Sequence, residues 1–375
     1  MKKIWRAVAG YWRTTDRWLL FFCFAASGIS ILFLCGVYNS GMMDGTSKIV
    51  MQAGASLMGL AVALVISTID YNALIKWWKL YVPICVIVVL FTMVWGVTRG
   101  DNTAWLYITM GGRTFSMQPS ELLKISFITT FALHLDKVKE DMNRLPTLLL
   151  LCLHGGAHVL LIQMQGDSGS ALVFLAIFLV MLFFAGVGWK YIASAGIAVF
   201  LAAPLLWLWL LTDDQKMRIL VLLNPERDAD YAFQQLRGAI ALGTGGLQGT
   251  GIFAGRHVPV PEAYNDFIFS FIGEASGFIG ALGVILLLSA IAFKFLYNSS
   301  AAKDDTGRLI CVGAAGMMLT QMFINLGMCL RLLPVIGVTL PFISAGGTSV
   351  LSMYCALGLV LSTYRHSGTT LFYAR

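Results

Sequence analysis

Ten runs of about 20 predominantly apolar residues succeed one another along the chain, and nothing constrains its fold more. They fall at about 18–37, 49–69, 80–97, 119–135, 145–163, 170–187, 191–211, 267–293, 309–330 and 346–364. A hydrocarbon core roughly 30 Å thick takes about 20 residues of helix to cross. Lipid offers backbone N–H and C=O groups no partner, so each run is expected to pair its own as an α-helix. The chain is 58% hydrophobic and only 12% charged, where soluble domains carry about 25% charge. These features predict an all-α polytopic membrane protein, one domain over residues 1–375, and exclude an ordinary soluble enzyme.

Lys and Arg set the orientation. With the N-terminus cytoplasmic, the cytoplasmic loops and termini hold sixteen of them, including Lys2, Lys3, Arg6 and Arg375. The short outer loops hold four, Lys48, Arg99, Arg113 and Arg331. Both termini are therefore expected inside, as an even helix count requires. The long 212–266 segment, between the seventh and eighth helices, is expected outside. No cleavable leader is evident, because the first apolar run is long enough to span. The net charge of +7 is spread along the loops, which fits lipid headgroups and excludes a nucleic-acid partner. The seven cysteines lie mostly within apolar runs and contain no CxxC pair, so no disulfide framework or zinc site is expected.

The outer segment is too long to be a passive connection. Within it, residues 231–242 place Ala232, Phe233, Leu236, Ala239 and Ile240 at helical spacing, which predicts a short amphipathic helix. Gly243–Gly251 follows, with five glycines, read either as a tight backbone path that could present N–H groups to an anion or as a flexible turn. The segment ends in Pro261-Glu262-Ala263-Tyr264-Asn265-Asp266, immediately before Phe267-Ile268-Phe269 and Gly273-Glu274. Asp266 is thus expected at the rim of a membrane helix, partly desolvated, where a carboxylate can serve either as a proton acceptor or simply as an N-cap.

Three other constellations carry polar groups into apolar surroundings. Gln118-Pro119-Ser120-Glu121-Leu122-Leu123-Lys124 opens the fourth helix, where Pro119 suits the first position. Glu121 and Lys124, three apart, share a face and can pair toward a cavity. In Gln165-Gly166-Asp167-Ser168-Gly169-Ser170, Asp167 is read as the cap of the sixth helix. His154 and His158 are four apart but have no third ligand nearby in sequence, so packing histidines are expected and no metal site. The Leu333–Ser349 stretch holds two prolines and three glycines, irregular backbone that must be buried or line a cavity at membrane depth.

In this order, these segments resemble the SEDS (shape, elongation, division and sporulation) family, the RodA/FtsW/SpoVE group of bacterial cell-wall proteins. The resemblance spans nearly the whole chain and includes Ile69-Asp70-Tyr71, Asn224-Pro225-Glu226 and Asn325-x-Gly327. It implies a lipid II-dependent peptidoglycan glycosyltransferase of the bacterial cytoplasmic membrane, working with a class B penicillin-binding protein. The family's essential loop aspartate falls on Asp266. The usual His-Thr before it is Tyr264-Asn265 here, and the usual Gln-Pro-Asp-Leu-Gly-Thr is Gln165–Ser170. In the last loop Ala345 replaces the usual tyrosine.

The reaction expected is inverting transfer at the outer membrane face, with Asp266 as general base on the acceptor hydroxyl. The pyrophosphate leaving group calls for cations, and Lys124, Arg227, Arg237, Arg256 or a divalent ion (Mg or Mn) are the candidates. Glu262, Glu121 and Ser344 complete the expected substrate-binding set. Two rivals involve no chemistry: a flippase for the lipid-linked precursor, which would use the same cavity, and a catalytically silent scaffold for a penicillin-binding protein. A flippase predicts internal repeats and midplane charges; neither is evident in the sequence.

Overall fold

A computed structural model describes residues 10–99, 102–110, 113–209 and 211–367. Lys2, Lys3, Arg6 and Arg375 lie outside the described residues. Ten helices of 18 residues or more are present among those described. They are α1 (Arg17–Asn39), α2 (Ser47–Thr68), α4 (Trp78–Trp95), α5 (Pro119–Lys137), α6 (Leu145–Gln163), α7 (Ser168–Ala185), α8 (Trp189–Trp209), α11 (Ile268–Ser300), α12 (Asp305–Cys329) and α13 (Gly347–Arg365). Shorter helices are α3 (Tyr71–Ile75), α9 (Asp213–Leu223) and α10 (Ala229–Thr244). Eight of the ten are long and apolar enough to cross a membrane. The other two are α5, which carries Glu121 and Lys124, and α8, which is apolar over Trp189–Leu205.

Helices α12 and α13 form the centre, with 72% and 78% of their most apolar windows buried, whereas α4 has 11% and lies at the rim. Small residues let the central helices approach closely, the mode available where lipid removes the hydrophobic drive to associate. A Cβ on Gly59 of α2 would stand 2.6 Å from the Tyr354 ring of α13, and one on Gly358 of α13 would stand 2.9 Å from Ala63 Cα of α2. At one end of the bundle, Asp16 accepts from Leu19 N at 3.2 Å to cap α1 and pairs with Lys294 at 2.7 Å. Asp304 caps α12 through Gly307 N at 2.8 Å and accepts from Asn72 at 3.0 Å.

At the other end the all-α frame gains an element that apolar run lengths do not reveal. Strands β1 (Val97–Arg99), β2 (Asn102–Met110) and β3 (Arg113–Met117) form a small antiparallel sheet in the order β1-β2-β3. Within β3, Thr114, Phe115, Ser116 and Met117 alternate polar and apolar residues, as strands do, and Thr103 N ties the sheet to the α6–α7 turn through Gln165 O at 3.0 Å.

Helix α11 is broken at Gly277, whose φ of 68° and ψ of −169° are non-helical. The break strands the carbonyls of Glu274 and Ala275 and the N–H groups of Phe278 and Ile279, which would have paired i to i+4. The glycine-rich segment takes up all four. Thr250 N and Gly251 N donate to Glu274 O and Ala275 O at 2.9 Å each, and Phe278 N and Ile279 N donate to Gly246 O and Leu247 O at 2.8 and 3.2 Å. The tight path expected of this segment is formed, and two of its amides, those of Thr250 and Gly251, serve the broken helix. Close approach dictates glycine here, since a Cβ at Gly249 would strike the Ala275 carbonyl and one at Gly277 the Gly249 nitrogen. Glu274 then fixes the next stretch, accepting from Val258 N at 2.8 Å.

Candidate active site

The polar constellations converge on one cavity of about 340 Å³ at the sheet end of the bundle. Its wall draws on the start of α5 (Gln118, Glu121, Lys124), the α6–α7 turn (Asp167, Ser170), α9 (Asp214, Arg218), the segment before α11 (Glu262, Asn265, Asp266), Gln321 of α12 and the loop Pro334–Thr339. A second cavity of about 320 Å³ adjoins it, sharing Trp105, Gln118, Glu262, Asn265 and Thr339 and adding Lys48 and the Gly346–Ser349 start of α13.

Glu121 and Lys124 meet as their spacing requires. Lys124 Nζ donates to Glu121 Oε1 at 2.8 Å, with side chains 1% and 6% exposed, and Ser352 Oγ donates to the other carboxylate oxygen at 2.9 Å. Two charges taken out of water survive because each has a close partner; removing one would leave the other uncompensated. Asp167 caps α7, accepting from Ser170 N at 3.0 Å, and also accepts from Gln118 Nε2 at 2.6 Å. Its burial pushes the carboxyl above the usual range, while the Ser170 bonds pull the other way.

Asp266 does not cap α11. The cap position falls on Phe267, with no side-chain bond, and Asp266 lines the cavity. The backbone beneath it is held from three directions. Tyr264 O accepts from Ala345 N at 2.9 Å, Asn265 O from Ser344 Oγ at 2.7 Å, and Asp266 O from Asn325 Nδ2 at 2.8 Å. The turn closes on Glu262, whose carbonyl accepts from Asn265 N and Phe267 N at 2.9 and 3.2 Å. Glu262 itself has φ 53°, a left-handed conformation that a non-glycine adopts at a cost and that is over-represented at functional sites. Gly337 approaches from the loop: a Cβ there would lie 3.8 Å from Asp266 Oδ2.

This arrangement can be set beside known proteins. The family model described as "Cell cycle protein", that of FtsW, RodA and SpoVE, matches residues 15–369. The chain belongs to that family. It is 32% identical over 339 residues to the probable peptidoglycan glycosyltransferase FtsW of Geobacter metallireducens, covering 87% of each chain. It is 29% identical over 321 residues to the peptidoglycan glycosyltransferase MrdB of Escherichia coli K12, covering 84% of this chain and 85% of that one. Among solved structures, it resembles a chain described under "Structural coordination of polymerization and crosslinking by a peptidoglycan synthase complex", with TM-score 0.78, 25% identity and coverage of 94% and 98%. The crystal structure of the Thermus thermophilus rod shape determining protein RodA shares the fold, with TM-score 0.70 and 24% identity over 94% and 98% of the two chains.

Within this FtsW/RodA/SpoVE frame the expected site residues separate. Asp266, Glu262, Glu121 and Lys124 line the cavity. Ser344 stands behind the wall, 1% exposed, supporting Asn265. Arg227, Arg237 and Arg256 are not in the wall of either cavity. Arg227 and Arg256 are exposed, and Arg237 is spent on Pro259 O at 3.0 Å. The cation brought to the cavity instead is Arg218, held by Asp214 at 2.9 Å and Val335 O at 3.0 Å. A sequence signal for it existed: Thr212-Asp213-Asp214-Gln215 is a capping box, formed here, and it starts a helix in which 214 and 218 share a face. Among the described residues no three His, Cys, Asp or Glu side chains are grouped to hold a metal ion. His154 and His158 pack as expected, with His158 Nδ1 at 2.9 Å from His154 O and His134 Nδ1 at 3.1 Å from His154 Nδ1.

Proposed function

We propose that this chain is a peptidoglycan glycosyltransferase that polymerises lipid II at the outer face of the bacterial cytoplasmic membrane, with both termini inside. The names of its relatives support the activity, and one observation carries the mechanism. Asp266 is spared from capping, sits in a cavity wall, and has its backbone anchored by α12 and the 333–346 loop. Such anchoring holds a base in reacting geometry, a contribution the protein makes before any bond changes. Asp266 takes the proton of the acceptor hydroxyl as that oxygen bonds to the donor's anomeric carbon. The bond to pyrophosphate breaks with inversion. Pyrophosphate leaves without a separate acid, and Arg218 and Lys124 supply positive charge to the cavity it departs from.

Among the described residues no metal cage is formed. Mg²⁺ is commonly held by one or two carboxylates together with substrate phosphates, and Glu262, in the cavity wall, suits that lesser role. A class B penicillin-binding protein is the partner proposed, since the similar solved chain belongs to a peptidoglycan synthase complex. Asp266→Asn tests the mechanism, because Asn keeps size and polarity but cannot accept the proton. Glycan polymerisation by the purified variant should fall by roughly 10²–10⁴-fold, the usual contribution of a general base. Polymerisation near the wild-type rate would remove Asp266 from the chemistry.

A further inference from the structure

Gln321 of α12 stands in the wall of the Asp266 cavity, 1% exposed, and its Oε1 is buried without a hydrogen-bond partner. Three ionisable side chains of the same wall are already engaged, and Asn265 Oδ1 is a second buried acceptor there without a partner. Glu121 is shared by Lys124 and Ser352, Asp167 by Gln118 and Ser170, and Arg218 by Asp214 and Val335. A buried carboxamide left over in such a wall is a destabilising choice for packing, where leucine would fill the same volume without a polar atom to satisfy. It is a sound choice for a group that meets a ligand. Gln321 also lies one helical turn from Asn325, whose amide holds the Asp266 backbone at 2.8 Å. Gln321 and Asp266 thus line the same cavity, the one the acceptor must enter. The terminal torsion of glutamine is soft, so either end of the amide can turn to the cavity.

We infer that Gln321 is a substrate-contact residue that reads the 2-acetamido group of the acceptor sugar. A carboxamide carries a donor and an acceptor side by side, and so does the edge of a 2-acetamido sugar with its amide and neighbouring 3-hydroxyl. A site built to hydrogen-bond such a group discriminates against an analogue lacking it, because the protein's own buried group is then left unpaired. This reading rests on the cavity being the glycosyltransferase site.

The test separates recognition from chemistry. Binding of a lipid-linked disaccharide with a terminal 2-acetamido sugar, and of its 2-deoxy counterpart, would be measured in nanodiscs. The proteins are full-length Asp266→Asn and Asp266→Asn with Gln321→Leu. Gln321→Leu should weaken the 2-acetamido ligand about 10–100-fold and change the 2-deoxy ligand by less than about twofold. Its melting temperature should hold or rise, since an orphaned amide is gone. Unchanged binding of the 2-acetamido ligand would mean that solvent satisfies the amide, and overturns the inference. So would equal weakening of both ligands, or a melting temperature that falls in step with binding. Gln321-dependent binding beside a wild-type protein that makes no polymer would sink the glycosyltransferase reading and leave a lipid-linked sugar site. Polymerisation with binding indifferent to Gln321 would do the reverse.

Discussion

The side-chain amide of Asn325 donates one hydrogen to the carbonyl of Asp266 and the other to the carbonyl of Val338, each at 2.8 Å. One fully buried residue of α12 thus fixes the distance between the candidate base and the loop that faces it across the cavity. Asn325→Leu keeps the volume but removes the amide donor from both carbonyls, leaving Asp266 O to the Cys329 thiol at 3.7 Å. Each loss costs about 1–3 kcal/mol, and a shift near 1 Å in a reacting group can cost on the order of 10²-fold in rate. Polymerisation assays should therefore show kcat reduced far more than KM is raised. A KM effect with normal kcat would place Asn325 in binding instead.

The buried pair of Glu121 and Lys124 gives a coupling prediction. Glu121→Gln or Lys124→Met alone strands a charge and should destabilise by about 3–5 kcal/mol. The double variant strands none, and its loss should be clearly smaller than the sum of the single losses. Thermal unfolding in detergent is the measurement; additive losses would mean that the pair of 2.8 Å in the structure is not maintained in the protein.

Asp167 should impose a pH dependence on stability. Burial raises its carboxyl value in the folded state, so between its ordinary value, about 3.9, and the raised one, the folded protein holds the proton more tightly. Its contribution is fully present below the ordinary value and is lost as pH rises through the raised one. Asp167→Asn removes that slope. Melting temperatures taken upward from acid should show the wild type losing stability relative to the variant, and a constant difference between the two would count against it.

The glycine segment offers an internal control. Gly249 and Gly246 both have positive φ, at 80° and 53°, but only Gly249 has backbone where a Cβ would go. Gly246→Ala should cost about 1–2 kcal/mol for the left-handed conformation alone. Gly249→Ala should cost more, through its clash with Ala275, and should loosen the outer segment, exposing it to protease. Equal melting temperatures for the two variants would deny the interlock with the broken helix.

Topology is open to a direct chemical test. Gln248 is exposed on the segment bound to α11. A cysteine placed there, with the seven native cysteines replaced, should be labelled by an impermeant reagent on intact spheroplasts. Labelling only after permeabilisation would turn the cavity toward the cytoplasm.

What the sequence determined by itself is local. Helix limits follow from apolar run length, and the expected 145–163 and 119–135 runs appear as Leu145–Gln163 and Pro119–Lys137. The amphipathic helix expected at 231–242 appears as Ala229–Thr244, and the Glu121–Lys124 pair and the Asp167 cap follow from spacings of three residues. Each is settled by a turn or two of backbone, so periodicity and capping chemistry suffice. Only the tertiary structure decided which polar residues meet. Asp266 looked like a cap as much as a base until the cap fell on Phe267; Arg218 reached the cavity while Arg227, Arg237 and Arg256 did not; Ser344 came to rest behind the wall. The glycines of 243–251 had no readable purpose without the break at Gly277, some 30 residues on, whose stranded backbone groups they pair. Those outcomes depend on contacts between segments far apart in the chain, set by how helices pack, and no local period carries that information.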